Sequence, residues 1–244
     1  MQSDNPLFRR VGFDATQTAP MTVAGAVNKT VVMTGTATAV AFIFYFYCLN
    51  LGYTNSPAMF GAIVGGVGGL VLALISAFKP QTSPMLALPY AVLEGLLLGG
   101  ISAAYEYQFP GLPLIAIAAT FITTFGLLAL YKAKIIQATE KFKAVVLSAT
   151  LAILILYLVQ WVMVLAFGNS IPFLFENGMI GLGFAAFVAI IASLNLILDF
   201  DMVERSAALR APKYMEWFCG IALLATLVWM YLSFLRLLGI IRSN

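Results

Sequence analysis

Charged residues are absent from long stretches of this chain. From residue 30 to residue 78 there is none. Those 49 positions suffice for two spans of about 20 residues and a turn. The turn formers NLGYTNSP at 50–57 divide the run, which predicts helix 1 at 30–51 and helix 2 at 57–78. After the KPQTSP turn, Ser83 and Pro84 sit as N-cap and first residue of helix 3, over 84–105. Pro89 offers a later start for that helix. Further apolar runs predict helix 4 at 112–131, helix 5 at 144–167, helix 6 at 178–199 and helix 7 at 214–238. The pattern implies an all-α membrane protein, a seven-transmembrane-helix bundle.

Small residues recur along these runs. Gly61, Gly65 and Gly69 form a doubled GxxxG in helix 2. Gly181, Ala185 and Ala189 repeat the four-residue step in helix 6. Apolar area drives little helix association inside lipid, so such seams serve close backbone packing. Thr30, Thr34 and Thr38 give helix 1 a mildly polar stripe that is expected to turn toward other helices.

Composition agrees with a membrane class. Hydrophobic residues make up 62% of the 244 positions and charged residues 9%, too few to cover a soluble surface. Eleven of the thirteen lysines and arginines fall in the lead-in or in the turns on its side of the membrane; Arg236 and Arg242 do not. That asymmetry places the N-terminus in the cytoplasm and the C-terminus outside. Residues 1–29 read as a cytoplasmic N-terminal segment without a signal-peptide pattern, and residues 30–244 as the transmembrane domain. The net charge of +3 gives no reason to expect nucleic acid. Cys48 and Cys219 lie in apolar runs and read as buried small residues.

The chain has no histidine. This removes histidine-based zinc sites and His-dependent nucleophilic triads, and no enzyme chemistry is expected. Any response to pH near neutrality falls to carboxylates. The candidates are Asp199, Asp201 and Glu204 at the end of helix 6, Glu216 at the start of helix 7 and Glu94 within helix 3. Glu204 reads as a solvated interfacial acid. A charge in mid-span costs about 2.5–3.5 kcal/mol on insertion scales, so such residues face the bundle interior. Glu94 lies near mid-membrane if helix 3 starts at Pro84, and closer to the cytoplasmic edge if it starts at Pro89. Two carboxylates held together in a low dielectric cannot both ionise cheaply and share a proton. They also offer hard oxygen ligands to Ca²⁺.

Several stretches together resemble the Bax inhibitor-1-like family, in particular its bacterial branch. They are NPLF at 5–8, MTVAGAVNKT at 21–30, SPMLALPYAVLEGLLLGGIS at 83–102, SLNLILDFDMVE at 193–204 and APKYMEWF at 211–218. The resemblance implies six helices around a central helix 7. It also implies a pH-sensitive Ca²⁺ leak governed by one acid on helix 6 and one on helix 7. The helix 6 acid corresponds to Asp201, which follows Phe200, with Asp199 in reserve. The helix 7 position falls near Thr226, where this chain has no acid, which leaves Glu216 as the substitute. The expectation is a leak channel or transporter for Ca²⁺ and protons in the bacterial inner membrane, without a bound cofactor. Asp201, Asp199 and Glu216 would sense protons and gate, Glu94 would line the ion path, and Asp201, Glu216 and Glu94 would meet the metal. The alternative is a regulatory protein that binds another membrane complex, such as a protease, and transports nothing.

Overall fold

The computed structural model describes residues 20–51, 55–168, 171 and 178–243. The NPLF stretch and most of the expected cytoplasmic lead-in lie outside the described residues. Among the described residues seven helices are long and apolar enough to cross a membrane: α1 (Val23–Asn50), α2 (Asn55–Phe78), α3 (Ser83–Gln108), α4 (Leu112–Lys132), α5 (Glu140–Phe167), α6 (Met179–Ala208) and α7 (Met215–Ser243). The protein is an integral multi-pass membrane protein built as a seven-helix bundle.

The helix cores fall where the apolar runs predict, but several ends move, among them that of α7, which runs to Ser243 past the expected 238. Helix α1 starts at Val23, seven residues before the expected Thr30. The Thr22 hydroxyl caps it by accepting from the Gly25 N–H at 2.9 Å, and Lys29 thereby becomes a helical residue. Helix α5 starts at Glu140, where the Thr139 hydroxyl accepts from Phe142 N–H. Helix α6 continues to Ala208, nine residues past the expected Asp199. Charged residues do not break a helix, and Arg205 pairs with Asp201 one turn earlier at 2.7 Å, which supports its last turns. Thirty residues at about 1.5 Å each give roughly 45 Å, longer than a hydrocarbon core of about 30 Å. The charged end of α6 therefore reaches the aqueous interface.

Helix α3 includes Ser83 as its first residue, after a short 3₁₀ turn at Pro80–Thr82, and runs through Pro89. The Ser83 hydroxyl, expected to cap the helix, instead meets the Ser76 hydroxyl of α2 at 2.6 Å. Since Pro89 is internal, Glu94 lies near the middle of α3.

Helix α7 is central. It packs against α1, α3, α4 and α6 and touches α2, and its residues are the most buried of any span. Among the described residues α5 packs mainly on α6 and is the least buried span. The α2–α3 pair is held by glycine: a Cβ on Gly65 would overlap the backbone at Leu93 and Leu97, and one on Gly100 the Ala58 carbonyl. In α6, Gly181, Ala185 and Ala189 are all buried, as the small-residue seam predicts.

Candidate functional site

Asp199 and Asp201 are two residues apart on one helix, so their side chains diverge by about 200°. Asp199 turns toward α7. Its carboxyl lies near the Thr226 hydroxyl and Cys219 of that helix. Its Oδ2 atom is buried and has no hydrogen-bond partner. Asp201 turns the other way, to the interface. It binds Lys143 at 2.6 Å and Arg205 at 2.7 Å, and both cations also approach Glu140. This network joins the start of α5 to the end of α6. Glu204 accepts a hydrogen bond from the Tyr131 hydroxyl at 2.9 Å in an exposed position.

Glu216 is 2% exposed and answers to the amino-terminal side of the bundle. It pairs with Lys29 and accepts from the Thr22 N–H at 3.0 Å. Asp201 and Glu216, expected as a proton-sharing pair, share no hydrogen bond. Asp201 is matched by Lys143 of α5 and Arg205 of its own helix, and Glu216 by Lys29 of α1. Glu94 is 7% exposed and belongs to the α2–α3 seam. Its side chain lies beside Tyr90, its Oε1 abuts the backbone at Gly69, and its Oε2 is buried without a partner. Asp201, Glu216 and Glu94 do not form one ligand set. Among the described residues no three acids or cysteines are grouped to hold a metal ion.

The polar stripe of α1 faces a pocket shared with α3, α4 and α7. Thr34 and Thr38 line a cavity of about 120 Å³ with Ser102, Thr120 and Tyr231, beside Leu224, Leu227 and Val228 of α7. Ser102 and Tyr231 share a hydrogen bond of 2.7 Å, and the buried Thr34 hydroxyl has no partner. Leu224, Val228 and Tyr231 turn one face of α7 to this cavity, and Thr226 lies on the opposite face, toward α6.

A family model described as Bax inhibitor 1 like matches residues 5–243. The chain belongs to the Bax inhibitor 1-like family. No curated protein and no solved structure matches it. Within this Bax inhibitor 1-like chain the central α7 agrees with the architecture the resemblance implies. The position that sequence matching assigns to an acid of helix 7 is Thr226, and it is Asp199, the reserve candidate, that meets it. Sequence reasoning missed the Lys29 and Thr22 partners of Glu216, because both were read as lead-in. The S/T-x-x pattern at Thr22 before an apolar run was the available signal for an earlier helix start.

Proposed function

We propose that the protein is a proton-sensitive Ca²⁺ leak of a bacterial inner membrane, with Asp199 as its gating carboxylate. The observation that carries this reading is the Asp199 carboxyl, wedged between α6 and the central α7 with one oxygen buried and unanswered. A buried carboxylate without a paired cation is costly. Its charge must be met by a proton or by an entering cation, so protons and cations compete for the same oxygens. Protonated, Asp199 hydrogen-bonds with Thr226 and holds α6 and α7 together. Ionised, it supplies a hard oxygen to Ca²⁺ between α6 and α7. A single acid thus performs what two acids perform in the expected latch.

The test is Ca²⁺ flux into liposomes at pH 6 and pH 8. Wild type should conduct more at pH 8, and Asp199→Asn should lose both the flux and its dependence on pH. Asp201→Asn should keep both. An Asp199→Asn protein that conducts like wild type at the two values overturns the assignment.

A further inference from the structure

The cytoplasmic end of α7 is tied down by the segment that leads into α1. Pro20 forms an antiparallel bridge with Pro212, and the Met21 N–H donates to the Ala211 carbonyl at 2.8 Å. Glu216 then fastens the segment from below α7. It accepts from the Thr22 N–H at 3.0 Å and pairs with Lys29, whose ammonium also lies over the Trp217 ring at 5.4 Å. Lys213 adds attraction for the same carboxylate. The fit is close, since any Cβ at Gly25 would overlap the Glu216 carboxyl. A hydrogen-bonded helix start needs neither a buried ion pair nor a bridge across to another turn. The extra ties hold residues 20–29 against the 209–214 turn.

What the segment covers gives the tie its meaning. Met21 is 3% exposed and belongs to one buried cluster with Ala26, Val203, Cys219 and Leu223. Cys219 lies on the same face of α7 as Thr226, two turns nearer the 209–214 turn, and Val203 lies one turn past Asp199 on α6. Met21 and Ala26 therefore plug the groove between α6 and α7 on the cytoplasmic side of Asp199.

We propose that residues 20–29 are a strap that closes the cytoplasmic approach to Asp199, locked by the Lys29–Glu216 pair and opened when that pair parts. This inference rests on the reading of Asp199 as the gating carboxylate and adds the element that controls access to it. It also gives Glu216 a role as a gating residue whose partner is a lysine of α1, in place of an acid of α6.

Pro20 and Pro212 are both exposed and face each other across the bridge, so cysteines placed there can be joined and released. In liposomes, the oxidised Pro20→Cys/Pro212→Cys protein should fall to the flux of protein-free vesicles at pH 8 and recover on reduction. An oxidised protein that conducts like its reduced form overturns the strap. A second readout does not need flux. Asp199→Cys should react slowly with a water-soluble thiol reagent on the cytoplasmic side, and faster when Lys29→Met is added. Equal rates with and without Lys29→Met also overturn the strap. If reactivity follows the lock while no variant, wild type included, passes Ca²⁺, the strap stands and the leak reading fails. The native Cys48 and Cys219 are buried, and the Lys29→Met protein without Asp199→Cys supplies their background.

Discussion

At the scale of single residues, two ion pairs of similar appearance carry different weight. Glu216 is almost fully enclosed, so removal of Lys29 leaves a buried carboxylate with backbone and hydroxyl donors alone. Breaking a buried pair from one side costs about 3–5 kcal/mol, and the partial exposure of Lys29 puts this case near the lower end. Asp201 is 16% exposed; its partner Arg205 is more than half exposed, which makes that pair an interfacial one worth about 1 kcal/mol or less, and Lys143, 18% exposed, keeps Glu140 as a partner when Asp201 is replaced. Lys29→Met should therefore lower the melting temperature in detergent far more than Asp201→Asn. The acids themselves were legible in the sequence, since a carboxylate in an apolar run is conspicuous. Their partners were not. The choice between Asp199 and Asp201 depends on which way α6 is rotated, and two residues on a helix differ by more than half a turn. Lys29 was hidden for another reason: a charge at the edge of an apolar run reads as a boundary, until a capping threonine moves the boundary outward.

At the scale of elements, apolar length located every helix, and small-residue spacing marked α2 as a closely packed helix without naming its partner. What the pattern left open was the end of each helix, because chain polarity and helix termination are separate properties. The last turns of α6 are polar and still helical, stabilised by Asp201–Arg205 and by contact with α5. The seam itself offers a controlled comparison. Gly65 faces the backbone of α3 at Leu93 and Leu97, whereas Gly126 in α4 has open space where a Cβ would go. Both are helical glycines, so the intrinsic helix propensity gained by substitution is alike, about 1 kcal/mol in favour of alanine. Gly126→Ala should be neutral or stabilising in a detergent melt. Gly65→Ala must push α2 and α3 apart and should destabilise. Equal melting temperatures for the two variants would mean that the seam does not depend on close backbone approach.

At the scale of the whole molecule, the bundle is not a ring of equivalent helices. Helix α7 is surrounded, and α5 leans on α6 through a few points: Ile153 against Val188 and Ile191, the Asn195 amide to the Thr150 hydroxyl at 2.7 Å, and the Lys143–Asp201 pair. Arg236 of α7 also reaches the Tyr157 hydroxyl at 3.0 Å. Positive-inside charge counting could orient this assembly, but hydropathy alone could not rank the helices, since lipid and protein interior are both apolar. That equivalence also sets the response to mutation. Leu154, Leu158 and Leu165 are exposed on α5, and a leucine truncated there exchanges one apolar surface for another in lipid. Leu196 and Met230 are fully enclosed in the α6–α7 core, where truncation to alanine leaves a cavity and costs about 2–5 kcal/mol. Leu154→Ala, Leu158→Ala and Leu165→Ala should each leave the melting temperature in lipid nanodiscs near wild type, and Leu196→Ala and Met230→Ala should each lower it clearly. Because α7 also carries Thr226, the two core variants should loosen the hold of Asp199 between α6 and α7, and raise Ca²⁺ flux at pH 6 while the α5 variants do not.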